Sequence, residues 1–152
     1  MLNMSIGNLQ KLPYDAEEAV NTLCTNLSFV GSGTKKIMFT SCIAHEGKTF
    51  TAMNVMRTMT KLGYKTVMVD ADLRKSILAA KFDFHGVENG LSHYLAGRAD
   101  IEDIIYQTNV PNGFIVPVGV CVGNPLPLLN SRRFTKLLDY LAEQADYVIV
   151  DA

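Results

Sequence analysis

Two patterns of hydrophobic and polar positions alternate along the chain: short apolar runs, and longer segments in which apolar residues recur every three or four positions. The apolar runs predict four strands buried on both faces, at residues 37–40, 66–70, 114–118 and 147–151. The helical repeats predict long helices at residues 15–30, 49–62 and 131–144, and shorter ones at residues 77–81, 91–96 and 101–107. Strands that alternate with helices indicate an α/β fold with a mainly parallel sheet and right-handed crossovers.

Several helix ends are marked by residues that commonly start or stop a helix. Asp15 is expected to cap the first helix, and Glu18 completes a capping box with it. Gly63 is placed to end the second helix in a left-handed conformation. Asp100 is expected to cap the predicted helix 101–107.

One loop between a predicted strand and a predicted helix carries the clearest candidate chemistry. Residues 40–49 read T-S-C-I-A-H-E-G-K-T. A strand, a tight loop and a helix in this order place free backbone N–H groups and the positive helix end around one small space, which favours phosphate. Lys48 would contact the β- and γ-phosphates, and the Thr49 hydroxyl would contact Mg²⁺. Because Cys42 replaces the first glycine of the usual motif, the G-K-T alone is also consistent with a plain strand-to-helix turn.

Two aspartates stand at the carboxyl ends of predicted strands. Asp70 and Asp151 each end an apolar run, and in an open α/β sheet this is the edge at which ligands bind. A carboxylate there is costly unless a cation meets it, and the Mg²⁺ of a bound nucleotide would do so. Asp72 and Arg74 follow closely enough to face the same site. The alternative is that these aspartates only cap the helices that follow them.

Composition is that of an ordinary globular domain. The chain has 152 residues, of which 48% are hydrophobic and 19% charged, so we predict a single globular domain. With the loop described above, this is a P-loop nucleotide-binding domain at residues 15–152, preceded by an extended arm at residues 1–14. A net charge of −1 gives no reason to expect nucleic acid, and the apolar runs are too short for membrane insertion. The cysteines match no metal-ligand spacing and suggest a reducing cytosol; they are Cys24, Cys42 and Cys121.

Together these motifs resemble those of the bacterial tyrosine kinases, or BY-kinases, which belong to the same broad P-loop class as the MinD/ParA and nitrogenase iron proteins. The resemblance begins at about Glu17. The family's Walker A loop, T-S-x-x-P-G-E-G-K-[ST], is matched at Thr40, Ser41 and residues 46–49. Its Walker A′ pattern, D-x-D-x-R after an apolar strand, is matched by Asp70, Asp72 and Arg74. Its Walker B strand, apolar and ending in Asp, is matched by residues 148–151.

The resemblance implies a P-loop NTPase-like three-layer sandwich in which the four strands, numbered along the chain, lie in the order 3-2-4-1. The first strand, residues 37–40, would then be an edge strand. Because no lysine, proline or bulge signal discourages pairing along it, we expect the chain either to be marginally stable or to cover this edge with another copy of itself or with its N-terminal arm. The family domain continues past the Walker B aspartate, so its C-terminal part is expected to be absent here.

The resemblance also implies a role for each matched position. The residues expected to bind ATP are Ala44, His45, Glu46, Gly47, Lys48, Thr49 and Phe50. Those expected to hold Mg²⁺ are Thr49, Asp70 and Asp151, and those expected to act in catalysis are Lys48, Asp70, Asp72 and Arg74. The reaction would be in-line transfer of the γ-phosphoryl group to a tyrosine hydroxyl. Its proton would go to one of the two aspartates Asp70 and Asp72, the one farther from the metal being the better base.

The implied function is an autophosphorylating protein tyrosine kinase that regulates capsular or exopolysaccharide synthesis in the cytoplasm. Its expected partners are ATP or ADP, a tyrosine-containing protein substrate and a membrane-bound polysaccharide co-polymerase or activator. Two alternatives stay open: a MgATP-binding regulatory module without kinase activity, and a MinD/ParA-like ATPase. The second is disfavoured by Ile43, which stands where MinD/ParA proteins carry a signature lysine.

The sequence departs from the family pattern at a few positions. Ala44 and His45 replace the usual proline and glycine of the Walker A loop. The family's first helix carries E-x-x-R-x-x-R, which packs subunits into a ring, whereas here Asn21 and Cys24 replace the arginines after Glu18. We therefore expect no ring through this helix. Ser76 replaces a proline, and little effect is expected from it.

Overall fold

The computed structural model describes residues 1–30, 35–40 and 47–152 of the chain. The strands in these ranges are β1 (Leu2–Asn3), β2 (Ser5–Ile6), β3 (Lys36–Phe39), β4 (Thr66–Asp70), β5 (Phe84–His85), β6 (Tyr106–Gln107), β7 (Gly113–Val116) and β8 (Tyr147–Asp151). The helices are α1 (Tyr14–Phe29), α2 (Lys48–Lys61), α3 (Leu78–Lys81), α4 (Leu91–Leu95), α5 (Leu126–Leu129) and α6 (Arg132–Gln144), with a 3₁₀ turn at Ile101–Asp103. The strands expected from the four apolar runs correspond to β3, β4, β7 and β8.

The main sheet has the strand order β1-β6-β7-β4-β8-β3. Its pairs are parallel except for the antiparallel pair β6 and β7. The four strands predicted from the sequence therefore lie in the order 3-2-4-1, as expected from the resemblance. This arrangement places β8 between β3 and β4, so that the carboxyl ends of these three strands meet at one edge of the sheet.

Side chains of successive strand residues point to opposite faces of the sheet, and each face is covered by helices. On one face Met68 and Ile149 pack against the buried side of α2, and Cys24 of α1 joins the same cluster. On the other face Val67 and Val148 belong to a cluster with residues of α4 and α6. The result is the predicted three-layer α/β/α sandwich, which holds the strand ends in fixed register.

The end of α2 follows the sequence prediction. Gly63 has φ +95°, in the left-handed region that favours glycine. The N–H of Gly63 donates to the carbonyl of Thr60, and the N–H of Tyr64 donates to the carbonyl of Met59, both at 3.1 Å. These two bonds are those of a Schellman motif, which satisfies the last carbonyls of the helix.

The predicted cap of α1 is wrong. The helix begins at Tyr14, Pro13 occupies the cap position, and no side chain there makes a capping hydrogen bond. Asp15 consequently lies inside the first turn, where its charge still favours the positive end of the helix dipole. Proline sets the entry conformation in place of a capping side chain, because its fixed φ angle of −55° directs the chain into the helix.

The predicted helix at residues 101–107 is also wrong in its second half. The 3₁₀ turn ends at Asp103, and Tyr106 belongs to strand β6. The buried Tyr106 hydroxyl accepts the N–H groups of Glu88 and Asn89 at 3.1 Å and donates to the carbonyl of Asn89 at 2.8 Å. These long-range bonds fix an extended backbone that the local pattern of apolar residues does not indicate.

The N-terminal residues are extended and lie along the opposite edge of the sheet from β3. Strand β1 pairs in parallel with β6, and β2 forms a separate antiparallel pair with β5. Met4 and Ile6 are buried in the core. The arm therefore does not cover β3, where Met38 remains 57% exposed in the described structure.

Candidate active site

The ends of β4 and β8 bring two buried carboxylates side by side. Asp70 and Asp151 are directly opposite each other in the parallel pair, and Phe39 of β3 is opposite Asp151 on its other side. Both aspartates are only 1% exposed. Two acidic groups this deeply buried require hydrogen bonds and a cation, because an unpaired buried charge is strongly unfavourable.

Helix α2 begins over these carboxylates. Gly47 precedes it with φ +79°, a left-handed conformation, and its carbonyl accepts the N–H of Thr51 at 2.9 Å. The hydroxyl of Thr49, in the first turn, donates to Asp151 Oδ2 at 2.9 Å. The structure therefore joins the two motifs that the sequence keeps a hundred residues apart, the G-K-T and the strand-ending aspartate.

Lys48 adds a positive charge to the same aspartate. Its ammonium group lies 2.9 Å from Asp151 Oδ1 and also donates to the carbonyl of Ala152. The approach to Oδ1 does not have hydrogen-bond geometry, so this buried oxygen has no hydrogen-bond partner among the described residues. The Lys48 ammonium therefore compensates the buried charge of Asp151.

The residues at this point suit Mg²⁺. A buried carboxylate oxygen without a hydrogen bond lies on the same side chain that the Thr49 hydroxyl contacts. Within the described ranges, no group of three or more His, Cys, Asp or Glu side chains is arranged to hold a metal ion. Mg²⁺ is commonly bound by one or two protein groups together with water and the phosphates of a nucleotide.

Asp70 makes its contacts with the loop that follows β4. Its Oδ1 accepts the N–H of Asp72 at 3.2 Å, and its Oδ2 accepts the hydroxyl of Ser76. The pKa of Asp70 is raised to about 7, chiefly by burial and to a smaller extent by the negative charges of Asp151 and Asp72, while the hydrogen bonds from Ser76 and the Asp72 N–H act in the opposite direction. A cation in the site would favour the ionised form of Asp70.

The other predicted catalytic residues lie on the same loop but nearer to solvent. Asp72 is half-buried, and its Oδ1 accepts the N–H of Lys75 at 3.2 Å. Arg74 is exposed. We expected the serine at position 76, which replaces the family's proline, to have little effect, but its hydroxyl is in direct contact with Asp70. This contact could have been suspected from the sequence, because a serine just before a predicted helix commonly hydrogen-bonds to groups near the helix start.

The comparisons with known proteins agree with this arrangement. The AAA domain family matches residues 34–152. Tyrosine-protein kinase CpsD of Streptococcus pneumoniae is 39% identical over 136 residues, which cover 90% of this chain and 60% of that protein. The kinase domain of Escherichia coli tyrosine kinase ETK superposes with a TM-score of 0.83 at 32% identity, and the match covers 90% of this chain and 54% of that one. The chain belongs to the bacterial tyrosine kinases.

Two further findings show how far this similarity extends. The chain spans 58% to 60% of the length of the streptococcal tyrosine kinases that it matches. The septum site-determining protein MinD of Pyrococcus horikoshii, solved with Mg-ADP, shares the fold less closely. Its TM-score is 0.67 at 27% identity, covering 78% of this chain and 48% of that one. Nucleotide and magnesium use is therefore represented among proteins of this architecture.

Part of the predicted nucleotide loop lies outside the described residues, namely Ala44, His45 and Glu46. Phe50 is described, and its ring stacks on Phe82 with centroids 6.3 Å apart. Its half-buried side chain packs against the core cluster that contains Phe82. Of the expected metal ligands, Thr49 and Asp151 are in contact, while Asp70 lies beside them with both oxygens directed to its own loop.

Proposed function

We propose that the protein is an ATP-dependent tyrosine kinase of the autophosphorylating type, which regulates capsular or exopolysaccharide biosynthesis. The observation that carries this proposal is the position of the D-x-D-x-R segment: Asp70 lies directly beside Asp151, the residue that Thr49 contacts. A nucleotide held at the start of α2 would thus have acidic groups next to its terminal phosphate. The names of its relatives, tyrosine-protein kinases, support the same reaction.

Phosphate binding would fall to the residues at the start of α2. The free N–H groups there and the positive end of the helix favour an anion. Lys48 would leave Asp151 for the β- and γ-phosphates, which carry more negative charge. Thr49 and Asp151 would hold Mg²⁺, which supplies charge neutralisation on the transferred phosphoryl group.

Asp72 is the better candidate for the base. Asp70 is 1% exposed and both of its oxygens already accept hydrogen bonds, so an incoming tyrosine hydroxyl cannot reach it readily. Asp72 is half-buried and lies farther along the loop from Asp151. It would accept the proton of the tyrosine, while the exposed Arg74 would stabilise the charge on the phosphoryl group.

We place this activity in the cytoplasm, beside a membrane-bound polysaccharide co-polymerase or activator protein. No helix in the described part of the chain has the length and apolar content needed to cross a membrane. A relative in the capsule region of Klebsiella pneumoniae, 32% identical over 138 residues, is named as a tyrosine kinase and supports this setting.

The test is transfer of labelled phosphate from ATP to tyrosine by the full-length protein. We expect phosphotyrosine to appear on the protein or on an added tyrosine peptide, and to be lost in the Lys48→Ala variant. Tight MgATP binding without phosphotyrosine would instead support the regulatory module. Release of ADP and free phosphate without phosphotyrosine would support a MinD/ParA-like ATPase.

A further inference from the structure

Ser76 closes the loop after β4 through two hydrogen bonds, although it belongs to none of the nucleotide-binding motifs. Its hydroxyl donates to Asp70 Oδ2, and its oxygen accepts the N–H of Leu78 at 3.4 Å. One side chain thus ties the end of β4 to the start of α3. The segment between these two anchors, residues 71–75, contains Asp72 and Arg74.

The carboxylates of this segment form a short chain of hydrogen bonds. Asp70 Oδ1 accepts the N–H of Asp72, and Asp72 Oδ1 accepts the N–H of Lys75, each at 3.2 Å. Removing the Ser76 hydroxyl would leave Asp70 Oδ2 without the only partner that it has in the described residues. A buried carboxylate oxygen without a partner is costly, so Asp70 would turn to regain one and would disturb its bond to Asp72.

We propose that Ser76 is a positioning residue: its hydroxyl fixes the orientation of Asp70 and, through the Asp72 amide, the place of the Asp72 carboxylate. Ser76 acts through Asp70 and takes no part in the transfer itself. The kinetic part of this inference rests on the proposed kinase function. The structural part does not, because the hydrogen bonds that Ser76 organises exist without substrate.

The kinetic test compares three variants of the full-length protein, Ser76→Thr, Ser76→Val and Ser76→Ala. Threonine and valine have the same shape but differ in the hydroxyl, so their difference isolates the hydrogen bond. We expect kcat to fall by about 10- to 100-fold in the valine and alanine variants, the scale found when a residue that orients a functional group is lost. The threonine variant should retain kcat. KM for ATP should be unchanged in all three variants, because the substitutions leave intact the contacts that we propose Lys48 and Thr49 make with MgATP.

The second readout is hydrogen exchange of the Asp72 and Lys75 amides, measured without nucleotide. We expect faster exchange at both amides in the valine and alanine variants and wild-type exchange in the threonine variant. Ser131→Ala is the matched control, because Ser131 is also half-buried and its hydroxyl oxygen also accepts an N–H at a helix start, that of Phe134 at 3.4 Å. It should lower Tm without changing kcat or the exchange of the Asp72 amide.

Equal kcat and equal Asp72 exchange in the threonine and valine variants would overturn the proposal. It would also be overturned if the valine and alanine variants failed to fold while the threonine variant folded, since the hydroxyl would then be needed for the fold and not for the site. If the wild-type protein forms no phosphotyrosine, the proposed function fails. The exchange measurement then decides the role of Ser76 by itself.

Discussion

The ends of β8 and β4 are neighbours in the sheet, but their terminal aspartates have different kinds of partner. Asp151, on β8, is met by side chains of α2, the Thr49 hydroxyl and the Lys48 ammonium, both at 2.9 Å. Asp70, on β4, is met by its own following loop, through the Asp72 N–H and the Ser76 hydroxyl. One strand end is thus coupled to the helix that begins at the nucleotide loop, and the other to the segment with the remaining acidic residues.

This difference indicates a division of roles between two adjacent carboxylates. Asp151 has a cation beside it, so its charge is compensated before any ligand binds. Asp70 has no cation beside it in the described structure, and burial, with a smaller contribution from the adjacent Asp151 carboxylate, raises its pKa to about 7. The two ends should therefore respond to different perturbations, and the predictions below test that separation in order of expected effect.

The largest effect concerns the pH dependence of stability. In the unfolded chain Asp70 has a pKa near 3.8, whereas in the folded protein it is about 7. Between these two pH values the folded state binds more protons than the unfolded state. The contribution of Asp70 to the free energy of unfolding is therefore greatest below pH 4 and is lost as the pH rises to and through 7. We expect the ionisation of Asp70 to lower the free energy of unfolding by roughly 4 kcal/mol over this pH range.

Urea unfolding of the protein without nucleotide, from pH 4 to pH 8, measures this contribution. The Asp70→Asn variant should lose most of that pH dependence, because it cannot ionise. Asp139→Asn is the control, since Asp139 lies on the surface in a pair with Lys36 and is 60% exposed. An unchanged pH profile in Asp70→Asn would show that the buried carboxyl group does not titrate in this range.

The next effect is on nucleotide affinity, at the β8 end. Lys48→Ala should weaken binding of MgADP by about 2–4 kcal/mol, the scale for removing a desolvated charge that contacts its partner directly. Titration calorimetry gives this value. Lys36→Ala, which removes a lysine paired on the surface with Asp139, should bind MgADP like the wild type. Wild-type affinity in Lys48→Ala would remove the lysine from the phosphate site.

A change at the β4 end should affect turnover and leave nucleotide binding intact. Asp72→Asn keeps the backbone N–H that donates to Asp70, so the loop retains its hydrogen bond, but the side chain can no longer accept a proton. We expect kcat for tyrosine phosphorylation to fall by roughly 10²-fold in the full-length protein. The affinity for MgADP should not change. If turnover stayed at the wild-type level, Asp72 would not be the base.

The smallest effect comes from a position away from both strand ends. Gly63→Ala forces a β-carbon into a left-handed backbone at the end of α2, and the space around Gly63 is open, so only the φ angle opposes the change. We expect a loss of about 1 kcal/mol in unfolding free energy, measured with urea. Both kcat and nucleotide affinity should be unaffected. A change in either would mean that the two strand ends are sensitive to the far end of α2.

The four strands could be predicted because each is a short, uninterrupted apolar run, whereas their order and the layers were expected from the resemblance to the BY-kinases. Strands β4 and β8 are buried at every position and read the same way in the sequence. Edge strand β3 is less clear, since it reads as a buried strand although Met38 is largely exposed. An apolar run records hydrophobicity, not the number of neighbouring strands, so the sequence could not indicate how far this edge is covered.

The contacts that the sequence did not predict are made between distant or unlike groups. The extended backbone at Tyr106 depends on hydrogen bonds to residues 88 and 89, which are 17 or more positions away. Ser76 reaches Asp70 only because the intervening loop folds back, which residue types alone do not specify. The aspartates themselves were identified, because a charged residue at the end of an apolar strand is unusual enough to be informative.

The central position of β8 has a consequence for how the protein is made. Strands β3 and β4 do not pair with each other, and each pairs with β8, which is synthesised after both of them. During translation, β4 can already pair with β7, but β3 cannot join the sheet until residues 147–151 leave the ribosome. The start of α2 and the loop after β4 are then brought together in one step, so a nascent chain should acquire affinity for nucleotide only after that segment has emerged.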